Sequence, residues 1–274
     1  MKQIASNKLW ARTRWLALPM AACLGGCSWF RGAAMPIWFE NYPAASATAR
    51  GLVVLLHGIH DGPDDFTRHG FVERIQSANP ELDVIAVDGH LGYYIRGLLA
   101  ERVHQDIVKP YRERYDHIWL VGISLGGLGA MTYAADYPHS VDGVVLLAPF
   151  LGSAEVIDEV RAAGGVRSWT AREREHAEDP MQRLAYDAWS WARTLAEHAA
   201  ESPIVYLGFG ETDRFVNAHN LLAEALPADR VLTHDGGHDW STWTPLFDEL
   251  AMRALRDAGT QSAQPTAAEA AFRR

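Results

Sequence analysis

Cysteine is almost absent from the 274-residue sequence. The two cysteines that it contains, Cys23 and Cys27, both lie within the first 27 residues. The rest of the chain therefore has no pair of thiols for an intramolecular disulfide and no thiol for catalysis. This excludes a small disulfide-stapled fold and a cysteine hydrolase.

Basic residues are scarce relative to acidic ones, with 25 Lys and Arg against 34 Asp and Glu and a formal net charge of −9. Proteins that bind nucleic acid usually present a basic face, so nucleic acid is not an expected partner. Self-similarity at periods of about 20 to 50 residues is also missing, which excludes solenoids and propellers. With 48% hydrophobic and 22% charged residues, the composition is that of an ordinary globular protein.

A long hydrophobic run is missing as well. The apolar stretch at residues 15–24 is about half the length, roughly 20 residues, that a spanning helix needs. Four basic residues and no acidic one precede this stretch, and a Leu-Gly-Gly-Cys sequence that ends at Cys27 follows it, which is the layout of an export signal. We expect residues 1–26 to be a signal peptide. Its removal would leave 21 basic against 34 acidic residues, a formal charge of −13.

The Leu-Gly-Gly-Cys sequence resembles the lipobox of bacterial lipoproteins. The resemblance implies that Cys27 is lipidated, becomes the N-terminus of the mature chain and anchors it to a membrane of the cell envelope. Ser28 follows where an Asp would imply retention in the inner membrane, so the implied location is the outer membrane. Cys23 is an alternative lipidation site. Plain secretion with cleavage nearby, giving a secreted or periplasmic protein, and an uncleaved anchor are further alternatives.

Between the leader and the body, residues 27–50 contain two prolines and a run of small residues, which is typical of a tether. Residues 37–39 are a candidate for a short edge strand within it. At the other end, residues 258–274 are polar and rich in small residues, so we expect a flexible tail.

From residue 51 to residue 257 the sequence alternates apolar runs with helical patterns. The runs lack polar alternation, which is typical of strands buried on both faces of a parallel sheet, and they lie at residues 51–56, 84–87, 118–121, 143–147 and 204–207. The clearest helical patterns lie at residues 66–78 and 96–115 and around Trp243. This alternation predicts one α/β domain, a mostly parallel sheet with helices on both faces.

One connection in this domain, residues 152–201, is too long for a plain crossover. It carries a helical stripe that begins at Met181 and three tryptophans, Trp169, Trp189 and Trp191. We interpret the segment as a small helical lid over one end of the sheet. The alternative is that the tryptophans only pack the insertion onto the body.

The strongest chemical signal is the pattern G-x-S-x-G formed by Gly122, Ser124 and Gly126, placed between a predicted strand and a helix of small residues. Such a turn has a strained backbone and needs small residues on both sides so that strand and helix can pass closely. It projects the serine Oγ at a helix N-terminus, which favours developing negative charge. We therefore predict Ser124 as a nucleophile.

A serine hydroxyl needs a base to take its proton and a carboxylate to orient that base. Asp213 lies just past the apolar run at residues 204–210, and His238 follows 25 residues later in a glycine-containing loop before the last helical pattern. They are the predicted acid and base. Asp88, which also follows a strand, and His234, which we expect on a strand edge, are the competing candidates.

Acyl transfer also needs two backbone N–H groups that bind the developing oxyanion. Leu125, directly after the nucleophile, is one candidate donor. The other is Ile59, in the loop after the first apolar run, where His57 would then be structural.

A metal site is the alternative interpretation of this loop. It would use side chains of types that zinc accepts: His57, His60, Asp61, Asp64, Asp65 and His69. Their spacing matches no ligand motif, so we expect neither a metal nor a cofactor.

The segments LLHG at residues 55–58, GISLGG at 122–127, GETD at 210–213 and GGHDW at 236–240 together resemble the serine hydrolases of the α/β-hydrolase fold, over residues 50–257. The order serine, acid, histidine is that of the family. GGHDW is similar to the ending seen in the S-formylglutathione hydrolase and the feruloyl or enterochelin esterase groups. One departure is that the family's first antiparallel strands should precede residue 51, where strand signal is weak.

The resemblance implies hydrolysis of carboxylic esters through an acyl-enzyme on Ser124, with a small-molecule ester or acyl compound as substrate. The same triad also serves thioesterases, amidases, peptidases and acyltransferases. A lipoprotein that keeps the fold and only binds a ligand is an alternative of a different class.

Overall fold

The computed structural model describes residues 31–46, 49–198 and 202–261. The predicted signal peptide, Cys27 and residues 262–274 of the predicted tail lie outside the described residues. Within the described ranges, no helix combines the length and the apolar character needed to cross a membrane.

A single sheet forms the centre of the described part of the chain. Its seven strands are β1 Phe39–Tyr42, β2 Gly51–Leu56, β3 Leu82–Val87, β4 His117–Ile123, β5 Gly143–Leu147, β6 Ile204–Gly210 and β7 Val231–His234. They lie in the order β1-β3-β2-β4-β5-β6-β7. β1 is antiparallel to β3, and every other pair is parallel. The predicted mostly parallel sheet is confirmed.

The first strand corrects the prediction of a tether. Phe39 pairs with Val87 and Tyr42 pairs with Val84, so β1 extends the sheet at its edge. Ile37, just before it, is buried in the core. The prediction of a tether over residues 27–50 is therefore wrong for residues 37–42, and the candidate strand at residues 37–39 was placed too early. A four-residue edge strand buries little surface, so its apolar pattern is short and weak.

Helices connect the strands. They are α1 Pro63–Arg68, α2 Phe71–Ala78, α3 Leu91–Ile95, α4 Leu99–Val103, α5 Lys109–Tyr111, α6 Leu125–Asp136, α7 Ala154–Ala162, α8 Pro180–Glu197, α9 Val216–Ala223 and α10 Trp240–Gln261. A π-helical turn, His104–Val108, joins α4 to α5. The predicted helix at residues 66–78 is two helices, because Gly70 between them has a left-handed φ of 72°.

The helices form layers on both faces of the sheet. α6 packs between α4 and α8 on one face, and α10 packs with α2 on the other. On the α2 and α10 face, Val53 and Val145 meet Ile75 and Phe247. Strands β2, β3 and β5 are buried along their whole length. This explains why their sequences carry apolar runs without polar alternation.

The insertion at residues 152–201 is only partly a lid. Most of α8 packs against α6, and Trp189 is fully buried, with its Nε1 donating to the Leu151 carbonyl at 2.9 Å. Trp169 and Trp191 are also buried. The tryptophans therefore hold the insertion on the body, and of its described residues, 152–198, only 179–181 at the start of α8 border the cavity described below.

Candidate active site

Ser124 lies in the sharp turn between β4 and α6. Its φ of 51° and ψ of −112° fall in a region that residues other than glycine rarely adopt. The turn is held by the neighbouring strand, because the Ser124 N–H donates to the Leu147 carbonyl at 2.9 Å and the Phe150 N–H donates to the Ser124 carbonyl at 2.8 Å. The backbone is thus fixed on both sides of the predicted nucleophile.

The two glycines of the pattern are required by close backbone contacts. A Cβ atom at Gly122 would lie 2.3 Å from the Gly126 carbonyl oxygen, and one at Gly126 would lie 2.0 Å from the Leu56 carbonyl oxygen. Both obstructing atoms belong to the backbone, so neither can move aside as a side chain could. The expectation that strand and helix pass closely at this turn is confirmed.

Ser124, His238 and Asp213 meet in one hydrogen-bonded chain. The distance from Ser124 Oγ to His238 Nε2 is 2.8 Å, and the distance from His238 Nδ1 to Asp213 Oδ2 is 2.7 Å. Because a carboxylate only accepts hydrogen bonds, Nδ1 carries the proton and Nε2 is left to accept the serine hydroxyl. This is the arrangement in which an imidazole can act as a base towards serine.

Each of the three residues lies just after the carboxyl end of a strand of the sheet. Ser124 follows β4, Asp213 follows β6, and His238 follows β7. The carboxyl ends of parallel strands all lie at the same edge of the sheet, which is where such folds bind ligands. We call this the carboxyl edge.

Two aromatic rings that the sequence analysis did not assign to the site hold the imidazole of His238. Phe215 and Trp243 meet it edge-on, with ring centroids 5.1 and 5.0 Å away and interplanar angles of 90° and 89°. The His238 side chain is only 7% exposed and that of Asp213 is 0% exposed. The hydrogen bond between them is thus shielded from water, which strengthens it.

The loops that carry acid and base are tied to each other. The Thr212 N–H donates to the Gly236 carbonyl at 3.0 Å, and a Cβ at Gly210 would lie 2.2 Å from the same carbonyl oxygen. Asp213 Oδ1 accepts the Phe215 N–H at 2.7 Å. Burial alone would raise the pKa of Asp213, but the hydrogen bonds from His238 and the Phe215 N–H outweigh it and hold that pKa below its usual value. Asp213 is thereby kept ionised.

The competing candidates lie elsewhere. The Arg31 guanidinium binds both oxygens of Asp88, at 3.1 and 2.5 Å, and Asp88 Oδ1 lies 3.9 Å from His57 Nε2, whereas the His238 imidazole is bonded to Asp213. His234 is the last residue of β7, as expected, and its Nε2 lies 2.9 Å from Glu249.

Both candidate oxyanion donors lie beside Ser124. Leu125 is the first residue of α6, where a backbone N–H has no partner within the helix. Ile59 borders the same cavity as Ser124 and Leu125. His57 is buried beside it, with Nδ1 2.7 Å from the Gly58 carbonyl oxygen.

Several of the side chains considered as metal ligands have protein partners. Asp61 accepts from Trp240 Nε1 at 3.1 Å, Asp65 accepts the Gly62 N–H at 2.7 Å, and the ring of His69 stacks on that of Trp240. In residues 31–46, 49–198 and 202–261, no three His, Cys, Asp or Glu side chains are placed to hold a metal ion.

Ser124 opens into a cavity of about 570 Å³. Most of its wall is apolar, formed by Ile59, Leu91, Ile95, Phe150, Met181 and Phe215. Two of the polar residues that line the cavity are Asp179 and Arg214. Asp179 caps α8, and the Arg214 guanidinium lies over the Phe215 ring at 4.8 Å. The cavity therefore suits an apolar group held next to a reactive serine.

His219, on α9, is a buried titratable residue that sequence reasoning missed. Its Nε2 donates to the Pro149 carbonyl at 3.0 Å, one residue before the Phe150 N–H that binds Ser124. Burial lowers the pKa of His219 to about 4, so the ring is neutral. In the sequence, the one feature that hints at a buried role for His219 is its position four residues after another aromatic residue, Phe215.

The chain resembles known proteins in sequence and in structure. A family model described as alpha/beta hydrolase fold matches residues 113–241, which include Ser124, Asp213 and His238. A comparison with curated protein sequences finds no match.

Several solved structures are similar to this chain in fold, although their sequence identity to it is low. A ferulic acid esterase has a TM-score of 0.55 and 14% identity, with coverage of 80% of this chain and 98% of that one. Est1E from Butyrivibrio proteoclasticus has a TM-score of 0.56 and 15% identity, covering 82% and 96%. A monoacylglycerol lipase from Paleococcus ferrophilus has a TM-score of 0.50 and 19% identity, covering 80% and 96%. The chain has the α/β-hydrolase fold.

Asp213 and Asp88 have different contacts, so replacing each of them should have a different effect on the reaction rate. Asp213→Asn should lower kcat for ester hydrolysis by about 10³- to 10⁴-fold, because the amide favours the wrong tautomer of His238. Asp88→Asn, the matched control, should have a much smaller effect, because Asp88 contacts Arg31 and not the imidazole. Steady-state kinetics on the folded variants test this ranking, and the reverse ranking would transfer the role to Asp88.

His219 predicts a pH dependence of stability. The folded state holds it neutral down to a pH of about 4, whereas the unfolded chain binds a proton below a pH of about 6.5. The free energy of unfolding should therefore fall as the pH is lowered through this window, by up to about 3 kcal/mol. His219→Gln keeps a donor and does not titrate, so its urea unfolding should depend less on pH. Equal slopes in both proteins would contradict the prediction.

Proposed function

We propose that the protein is a serine hydrolase that cleaves carboxylic esters through an acyl-enzyme on Ser124. The observation that carries the proposal is the continuous hydrogen-bonded chain from Ser124 Oγ through His238 to Asp213, at 2.8 and 2.7 Å. Fold alone would not support an activity, because the same fold hosts many functions.

The reaction follows from this geometry. His238 Nε2 takes the proton of Ser124 as Oγ attacks the ester carbonyl carbon, and the N–H groups of Ile59 and Leu125 bind the resulting oxyanion. The protonated imidazole, stabilised by ionised Asp213, then gives its proton to the leaving alcohol. Water, activated by His238, attacks the acyl-enzyme and releases the acid and the free serine.

The cavity supports a proposal for the substrate class. Its apolar wall next to Ser124 favours an ester with an apolar acyl or alcohol group. Est1E, a structural neighbour, binds ferulic acid. This supports an ester substrate for the present protein without identifying which one.

Removal of the nucleophile is the direct test. Ser124→Ala should lower kcat on a soluble ester by about 10⁴-fold or more, because no acyl-enzyme can form. Ser77→Ala, which removes an exposed hydroxyl from α2, should leave kcat unchanged. Thermal unfolding should show that both variants are folded. Near-normal hydrolysis by Ser124→Ala would contradict the assignment of Ser124 as the nucleophile. If the wild-type protein hydrolysed no ester, the alternative of a lipoprotein that only binds a ligand would gain support.

We also propose that Cys27 anchors the mature protein to the cell envelope. The support is the order of basic residues, short apolar stretch and Leu-Gly-Gly-Cys in the first 27 residues. Acyl chains on this cysteine would hold an acidic protein at a membrane, since each buried CH₂ contributes about 0.8 kcal/mol.

Cysteine variants separate the two possible attachment sites. Wild-type protein and Cys23→Ala should partition with membranes, whereas Cys27→Ala should be soluble or remain unprocessed. Intact mass spectrometry of the wild-type protein should show an acylated N-terminal Cys27. An N-terminus downstream of Cys27, or an unmodified cysteine, would exclude the anchor.

A further inference from the structure

The first described residues of the chain run along the carboxyl edge, close to the cavity. The Asp88 carboxylate binds Arg31, and its backbone N–H donates to the Trp38 carbonyl at 2.9 Å. Tyr93 Oη, on α3, donates to the Ala34 carbonyl at 2.9 Å. Residues 31–38 therefore lie against the end of β3 and against α3, whose residues Leu91 and Ile95 form part of the cavity wall.

Exposed large apolar side chains are concentrated at this edge. Among the side chains that the structure describes, those of Met35, Trp38 and Ile95 stand out, at 67%, 54% and 39% exposure. Two of them lie on the segment at residues 31–38, and the third lies on α3 at the cavity wall. We call these three residues the apolar rim. All three residues lie at the carboxyl edge, and tryptophan is enriched where proteins meet the membrane interface.

The proposed anchor is close to the apolar rim in sequence. Arg31 is four positions after Cys27, so the two Cα atoms can be at most about 15 Å apart even in a fully extended chain. Arg31 itself is fixed beside Asp88. A lipid attached to Cys27 would therefore enter the membrane within about 15 Å of the Arg31 Cα atom, at the carboxyl edge.

We propose that the apolar rim rests on the lipid surface, so that the Ser124 cavity opens towards the membrane and receives an amphiphilic acyl ester from it. This proposal rests on the proposed anchor and the proposed hydrolysis, and it adds an orientation and a source of substrate. The partner is a lipid surface of low charge, because the mature chain has a formal charge of −13 and an anionic surface would repel it.

The kinetic test uses residues of the rim that do not border the cavity. The double variant Met35→Ser with Trp38→Ser should hydrolyse a short soluble ester at the wild-type rate. On a long-chain ester embedded in phosphatidylcholine vesicles, the same variant should be several-fold slower. Met35→Leu with Trp38→Phe keeps both side chains apolar and should restore the wild-type rate on vesicles. Equal rates of wild type and the serine variant on vesicles, or an equal loss on both substrates, would overturn the proposal.

Fluorescence tests the orientation without relying on hydrolysis. The emission of Trp38 is obtained as the difference between the wild-type protein and Trp38→Phe, each added to vesicles that contain brominated phosphatidylcholine. Quenching of this difference supports contact of the rim with lipid, and an unquenched difference overturns it. Because mass spectrometry reports lipidation and Ser124→Ala reports catalysis, failure of the orientation is distinguishable from failure of either proposed function.

Discussion

The imidazole of His238 is the point on which the arrangement of the site depends. It bonds Ser124 through one nitrogen and Asp213 through the other, so it links loops from β4, β6 and β7 that are far apart in the sequence. Its orientation is held by the edges of Phe215 and Trp243 rather than by further hydrogen bonds. Packing thus fixes the orientation of the ring, and the Asp213 carboxylate, which only accepts hydrogen bonds, determines that Nδ1 carries the proton.

This arrangement requires a backbone that is strained at one residue and tightly packed around it. Ser124 has a positive φ, which costs about 1 to 3 kcal/mol and persists only where the surroundings enforce it. The surroundings here are the hydrogen bonds to Leu147 and Phe150 and the glycines at positions 122 and 126. His219 also stabilises this turn, because its Nε2 donates to the carbonyl of Pro149, the residue before Phe150.

Most of the fold could be predicted from the sequence because the strands are buried on both faces. Strands such as β2 and β5 consist of uninterrupted apolar residues, so their limits agree with the prediction. β1 was predicted only in part, as a candidate edge strand at residues 37–39, because the sequence Phe-Glu-Asn-Tyr of the observed strand has no such pattern. For the site, chain order and the position after a strand were enough to choose Ser124, Asp213 and His238. Phe215, Trp243 and His219 could not be found in the same way, because only tertiary packing brings them to the triad.

Activation of Ser124 by His238 can be measured by reaction with a fluorophosphonate probe. Such probes bond to serines whose proton a neighbouring base can take, so labelling reports activation without knowledge of the substrate. If His238 activates Ser124, mass spectrometry should find a single adduct, on the peptide that contains Ser124, with loss of ester hydrolysis and no adduct in Ser124→Ala. Wild-type protein that is folded and remains unlabelled, or that carries the adduct on another residue, would contradict it.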